Sequence, residues 1–278
     1  MSQFWGLSIN DDSLVECVLT PHFDSVNLTT GDTGWWGLGY YSRGELLQRS
    51  EPKNEGDPLD IAAVIQGLRA DLIFMHTRNA TVGQVRRENV HPFRFKEWLF
   101  AHNGTIRGFD AIKGNLLDAM PSFIQRNVKG DTDSEHVFHL FISFLYDAGM
   151  LARPDAGIAA IGDAMVRTFA TVDEFANIAG EVPSPASFIV SDGYSFVAGS
   201  RGIPVDYTVI DGIKDCVVCR KSVRPGETVP SLVNHDVLKA VIVRSAGGAE
   251  PPPSFSRLEN NTLLMVSRTQ EVAVRPFK

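Results

Sequence analysis

Two rhythms of apolar and polar residues alternate along this 278-residue chain. Residues 4–9 form a short, largely apolar run that predicts a first strand starting almost at residue 2. Leu72-Ile73-Phe74-Met75 and Trp98-Leu99-Phe100-Ala101 have the same character and are read as buried strands. The first carries His76, Thr77 and Arg78 to its end; the second is closed by a small polar turn, His102-Asn103-Gly104. Residues 50–56 read as a polar loop. Asp57-Pro58 then has the form of an N-cap followed by proline at the first helical position, with Ile61, Ala62, Ile65 and Leu68 at helical spacing beyond it. Residues 110–120 are also predicted helical. Thr132-x-x-Glu135 has the form of a capping box ahead of an apolar stripe at Val137, Phe138, Phe141, Ile142 and Leu145. Residues 154–169 repeat that pattern, with Ile158, Ile161, Met165 and Phe169 on one face. From Ser187 the character shifts to strands. Residues 187–191 and 194–199 flank Asp192-Gly193, a hairpin signal, and residues 205–210, 216–220, 239–244 and 262–267 are further strand candidates. The Gly-Gly and triple-proline stretch at 246–253 reads as a loop inside one domain, because too few strands follow it to fold alone. Strands, then helices, then strands joined by hairpin turns point to an α+β fold, with residues 1–278 as a single domain.

Composition narrows the function classes. With 44% apolar residues the chain can bury a sizeable core, and a net charge of −7 with scattered Lys and Arg gives no footprint for nucleic acid or an anionic membrane surface. No apolar run reaches the roughly 18 residues that a membrane span requires, and the N-terminus lacks a basic and then apolar leader. Three cysteines make an odd, sparse count typical of a reducing compartment, so the expected location is the cytoplasm. The expected partner is a small molecule, with no nucleic acid and no membrane.

The candidate chemistry begins at Asn103-Gly104. A side-chain amide beside a bare glycine backbone provides two N–H groups that can donate to one developing oxyanion, and glycine lets the backbone come close to a ligand. The same dipeptide is also the commonest hairpin signal. Other features surround it: His76-Thr77-Arg78-Asn79-Ala80-Thr81-Val82-Gly83 and Asn89-Val90-His91-Pro92-Phe93 upstream, and Gly130-Asp131-Thr132-Asp133-Ser134-Glu135 downstream.

In this order and spacing the set resembles the class II glutamine amidotransferases of the N-terminal-nucleophile (Ntn) hydrolase superfamily, most closely their small stand-alone members. The likeness runs from Gly6 to about Val274. It implies a four-layer αββα sandwich of two antiparallel sheets flanked by helices. It also implies a nucleophile at the residue exposed by removal of Met1, whose free α-amino group serves as the base. Asn103 and Gly104 would form the oxyanion hole. Arg78 would hold the α-carboxylate of glutamine or a γ-glutamyl compound, a task suited to a planar guanidinium, and Asp133 would hold its α-ammonium. A surface ion pair for Arg78 and a helix-stabilising first-turn carboxylate for Asp133 are the plainer alternatives.

The family has cysteine after the initiator methionine; this chain has Ser2. A serine hydroxyl is far less acidic than a thiol and depends wholly on its base. Three readings stay open: an amidohydrolase with a serine nucleophile, a protein that keeps the pocket without turnover and binds a glutamine-like ligand or a partner, and a variant altered from cysteine. A partner enzyme taking up ammonia is a further option, since the chain shows no separate acceptor domain.

No cofactor is expected. His76, His91 and His102 invite a metal reading, but zinc needs three or four ligands in one geometry, and His91 before Pro92 reads as a structural turn. Cys216-Val217-Val218-Cys219 is a lone CxxC. In the strand predicted there its two side chains point to opposite faces, which favours neither zinc nor a redox pair, and Cys17 is expected to pack in the interior.

Overall fold

The computed structural model describes residues 2–23, 34–53, 59–78, 86–153, 157–221, 233–245 and 250–278. Two antiparallel sheets stack face to face between two layers of helices. The first sheet holds β1 (Gln3–Ile9), β2 (Gly34–Ser42), β3 (Glu45–Lys53), β4 (Leu72–Arg78), β9 (Val205–Asp211), β10 (Lys239–Ser245) and β11 (Ser256–Arg257), in the order β11-β9-β10-β1-β4-β2-β3. The second holds β5 (Phe93–Phe95), β6 (Trp98–Gly104), β7 (Ala186–Ser191), β8 (Phe196–Arg201), β12 (Thr262–Val266) and β13 (Val272–Pro276), in the order β13-β12-β8-β7-β6-β5.

The apolar runs occupy the sheet centres. β1 and β4 pair antiparallel with Gln3 opposite Thr77 and Leu7 opposite Ile73, and β6 pairs with β7 with Asn103 opposite Ser187. Phe4, Phe74, Leu99, Ala101, Ile189, Phe196 and Val243 fill the layer between the sheets. Strands buried on both faces lose the polar alternation of a half-exposed strand, which explains why these runs read as continuous. The sheets approach closely where β2 crosses β6: a Cβ at Gly39 would lie 2.7 Å from Leu99 Cδ2 and 2.9 Å from Pro92 Cγ.

The outer face of the first sheet is covered by α1 (Val15–Leu19), α2 (Ile61–Ile65) and the segment around Cys216, through Leu7, Ile9, Val18, Ile65 and Ile242. The outer face of the second is covered by α3 (Phe109–Asp118), α4 (Ser122–Gln125), α5 (Asp133–Asp147) and α6 (Ile158–Ile178). There the rings of Phe100 and Phe138 stack with centroids 5.3 Å apart, and Phe169 stacks on Phe188 at 5.4 Å. The expected α+β class and its four-layer αββα arrangement are both present.

Local departures have physical reasons. The polar residues from Ser50 onward open as strand, because β3 is the edge of its sheet and faces water. The expected cap Asp57-Pro58 lies outside the described residues; α2 starts at Ile61, and Asp60 caps it by accepting from Ala63 N–H at 3.0 Å. The apolar stripe predicted over 154–169 continues as helix to Ile178, and its residues 154–156 lie outside the described set. Residues 216–220, expected as strand, instead run into the short helix α7 (Val217–Lys221), and a further turn of helix, α8 (Val233–Asp236), precedes β10. Backbone hydrogen bonding from Arg220 N to Cys216 O closes that helical turn, so the premise that the CxxC side chains diverge is incorrect. The Asp192-Gly193 hairpin forms as read, with Gly193 at φ 91° and Asp192 Oδ1 accepting from Tyr194 and Ser195 N–H.

Truncating Phe100, fully buried between β6 and α5, removes the centre of the outer core. Phe100→Ala is expected to lower the unfolding free energy by about 3–5 kcal/mol in chemical denaturation, with cooperative unfolding retained.

Candidate active site

β1 and β6 set the frame of the site. Ile9 at the end of β1 and Trp98 at the start of β6 line one cavity of about 770 Å³, together with Tyr41, Asp192, Arg268 and Gln270. The other ends of these strands, Ser2 and Gly104, therefore both face the opposite margin of the stacked sheets. Continuing the β1–β4 register by one residue sets the half-buried Ser2 opposite Arg78. The large cavity is thus at the far end of the strands from Ser2, Arg78, Asn103 and Gly104.

Asn103 and Gly104 close β6. Gly104 has φ 146°, and a Cβ there would lie 2.6 Å from Pro185 O and 3.1 Å from His102 Nε2, so a side chain fits neither the backbone nor the space. Two hydrogen bonds to successive residues of α5 bracket this dipeptide. His102 Nδ1 is 2.8 Å from Ser134 Oγ on one side. On the other, Ile106 N–H donates to Asp133 Oδ2 at 2.7 Å. Asn103 is 6% exposed, and among the described residues no hydrogen bond engages its side chain.

Asp133 is the first residue of α5, capped by Thr132 Oγ1, which accepts from Glu135 N–H at 3.2 Å. The expected capping box is only half formed. Glu135 turns its carboxylate to Lys129 and Gly130 N–H, at 2.8 and 2.6 Å, and so shapes the preceding loop. Burial pushes its carboxyl pKa up, and those two N–H donors hold it down. The carboxylate of Asp133 is buried and also accepts from Ser134 N–H at 2.8 Å. Asp131 and Asn89 exchange bonds: Asn89 Nδ2 donates to Asp131 Oδ1 at 2.6 Å, and Asp131 N–H donates to Asn89 Oδ1 at 3.1 Å. The Asn-x-His-Pro-Phe stretch thereby anchors the loop that carries Asp131 and leads into α5.

Arg78 is 5% exposed at the end of β4. Burial lowers its pKa, and the nearby carboxylates of Asp131 and Asp133 act in the opposite sense. The Arg78 guanidinium and these two carboxylates thus share one partly desolvated region, where charges interact far more strongly than in water, and Asp131 Oδ2 also pairs with Arg86 Nη2 at 3.3 Å. The rest of the upstream motif, residues 79–83, lies outside the described residues.

Of the three histidines singled out by sequence, His76 and His91 sit together beneath this margin, while His102 lies on the helix-covered face of the second sheet against Phe100, Ser134 and Phe169. The rings of His76 and His91 lie 4.1 Å apart, and among the described residues neither nitrogen of either ring has a hydrogen-bond partner. Burial pulls the pKa of His76 down to about 3 and those of His91 and His102 below their usual value. On α5, burial likewise pulls His139 down to about 4. These are neutral packing groups at pH 7. The supporting roles of Asn89, Asp131 and Ser134 were not readable in the sequence, because each depends on a contact with a residue 32 to 42 positions away.

Residues 1–201 match the family described as class-II glutamine amidotransferases. Over 146 residues the chain is 32% identical to a protein of Saccharomyces cerevisiae described as "Probable glutamine amidotransferase DUG3", covering 50% of this chain and 41% of that one. It is 28% identical over 110 residues to the "Putative glutamine amidotransferase YafJ" of Escherichia coli, covering 37% and 39%. The chain spans less than half the length of these curated relatives. Among solved structures, a glutamine aminotransferase class-II domain protein from Silicibacter pomeroyi superposes over 99% of both chains with a TM-score of 0.62 at 18% identity. The glutamine phosphoribosylpyrophosphate amidotransferase of B. subtilis matches 99% of this chain over 49% of its own, with a TM-score of 0.57 at 13% identity. At those identities the likeness is one of fold, the Ntn-type sandwich.

The histidines make stability depend on pH in a defined direction. Each has a folded pKa below its unfolded value, so the unfolded chain binds more protons and stability falls as pH drops below about 6.5. Loss should continue towards pH 4, at up to about 1.4 kcal/mol per pH unit for each such histidine. Urea unfolding midpoints between pH 7.5 and 4.5 measure this, and His76→Asn, if folded, should flatten the slope.

Proposed function

The chain belongs to the class-II glutamine amidotransferases, and from that premise we propose that it hydrolyses the side-chain amide of glutamine or a γ-glutamyl compound with Ser2 as nucleophile. The observation that carries the reading is the bracketing of Asn103-Gly104 by Ser134 and Asp133, with Arg78 in the field of the same carboxylate. It supports an anion-stabilising pair and a zwitterion-binding pair assembled as one rigid unit.

In this reading, removal of Met1 frees the α-amino group of Ser2, which titrates near pH 7.7–8.0 in unperturbed chains and so acts as a base at neutral pH. Ser2 Oγ attacks the amide carbon while the amine takes its proton. The tetrahedral oxyanion accepts hydrogen bonds from Asn103 Nδ2 and Gly104 N–H. Collapse expels ammonia, which leaves with the proton held by the amine. Water then cleaves the γ-glutamyl ester by the reverse proton path, releasing the acid and restoring Ser2. Arg78 forks onto the substrate's α-carboxylate. Asp133 Oδ1 accepts from Ser134 N–H and Oγ, while Oδ2 keeps an accepting lone pair beyond its bond to Ile106 N–H, and this takes the α-ammonium.

A second reading rests on the hydroxyl in place of the thiol. The same pocket binds a glutamine-like ligand without turnover, because a site tuned to sulfur places a shorter oxygen poorly, and a displacement of about 1 Å costs roughly two orders of magnitude in rate. Ammonia release separates the two. The hydrolase reading expects slow glutaminase activity from the mature chain, more from Ser2→Cys and none from Ser2→Ala. Mass spectrometry should show Met1 absent from every active preparation; activity with Met1 retained would overturn the assignment. Calorimetry should detect glutamine binding to Ser2→Ala. Adding Arg78→Ala should weaken that binding by about 30-fold or more, the equivalent of ~2 kcal/mol for a charge-assisted fork.

A further inference from the structure

All three cysteines of the chain meet at one point, far from the site described above. Cys17 lies on α1, which follows β1; Cys216 and Cys219 lie at α7, which follows β9; His235 lies on α8, which precedes β10. β1, β9 and β10 are neighbours in the sheet, with Ile9 paired to Ala240 and Asp211 to Lys239. The three segments therefore leave the sheet at the same end, the one opposite Ser2. There the three sulfurs and a ring nitrogen of His235 all lie within 4.8 Å of one another.

The separations have the size that a tetrahedral ion imposes. With zinc–sulfur bonds of about 2.3 Å and zinc–nitrogen bonds of about 2.0–2.1 Å, two ligands on one ion stand about 3.8 Å apart for S···S and about 3.5 Å for S···N. Cys17 Sγ and Cys219 Sγ are 3.8 Å apart, and Cys219 Sγ and His235 Nε2 are 3.6 Å apart. The remaining pairs need to close by at most about 1.3 Å to reach the same edges. The short helix also turns the backbone N–H of Cys219 onto Cys216 Sγ at 3.5 Å, a donor that favours thiolate on the first cysteine of the CxxC. Cys17, Cys216 and His235 are buried and Cys219 is half-buried. Three thiols and an imidazole drawn from segments about 200 residues apart, packed sulfur to sulfur without a disulfide, exceed what apolar packing of cysteine requires.

We propose that Cys17, Cys216, Cys219 and His235 bind one zinc ion as a closed Cys₃His site. All four positions are filled by the protein and no coordination position is left for water, so the ion is structural rather than catalytic. It staples α1 to α7 and α8 over the outer face of the first sheet. Ile213 N–H, which donates to His235 O at 2.8 Å, already holds two of these segments together. This inference stands apart from the amidohydrolase reading, since the cluster lies beyond the Ile9 end of β1 and Ser2 lies before its start.

Metal analysis of the full-length protein, purified with a thiol reductant and no chelator, should find about one zinc per chain. Replacement by cobalt(II) should give thiolate-to-cobalt absorption in the near ultraviolet and intense tetrahedral bands in the visible. His235→Cys should keep the stoichiometry and move those bands to longer wavelength, while Cys219→Ser and His235→Ala should lose the ion. Chelation should lower the melting temperature of the unaltered protein by roughly 10 °C. A folded protein without zinc whose melting temperature ignores chelators would overturn the proposal. So would a disulfide between Cys17 and Cys219, iron in place of zinc, or zinc unaffected by the Cys219→Ser and His235→Ala changes. If a variant fails to fold, the metal content and cobalt spectrum of the unaltered chain decide the matter.

Discussion

The grip of the first turn of α5 on the end of β6 is the interaction on which the site depends. His102 meets Ser134 on one side of Asn103-Gly104, and Ile106 meets Asp133 on the other. Both contacts are buried, so each polar group would suffer the full cost of desolvation without its partner. That cost locks the glycine into a conformation a side chain could not share. The carboxylate that closes the bracket also acts on the charge of Arg78. One buried carboxylate thus serves the shape of the β6 end and the electrostatics around Arg78 together.

The sandwich makes this grip possible. The apolar layer between the sheets brings β1 over β6, so that the start of one strand and the end of the other share a margin. The aromatic layer under α5 presses that helix onto the second sheet through Phe100, Phe138 and Phe141. The buried histidines fill the space beneath the margin as neutral rings, so the fold places the charged groups above them without competing cations. The opposite margin carries the cysteine cluster, where the outer helices have little area to bury and a metal staple offers the most.

Much of this was legible in the chain. The strands β1, β4 and β6 announced themselves as apolar runs because burial on both faces demands it, and α5 and α6 announced themselves by apolar stripes. The placement of Arg78 at the end of β4 and of Asp133 in the first turn of α5 followed from those boundaries. Reading failed where local pattern and tertiary context conflict. The β-branched run around Cys216 looks like strand, yet a five-residue helix forms there, where Cys216 packs with Val18 and Leu238 over the first sheet. Glu135 has the sequence of a reciprocal cap, but the Lys129-Gly130 turn offers two donors and draws its carboxylate away.

By itself the sequence determined which residues could be inside, where helices begin, and which side chains are chemically able to attack, to stabilise an oxyanion or to hold a zwitterion. Those properties are local: they depend on side-chain chemistry and on spacings of two to four residues. Only the tertiary structure decided that Asp133 reaches Ile106, that Asn89 holds Asp131, and that Cys17 meets Cys219 and His235. These contacts join residues far apart in the chain, and strand order sets their distances through hydrogen-bond register and core packing, neither of which a periodic pattern encodes.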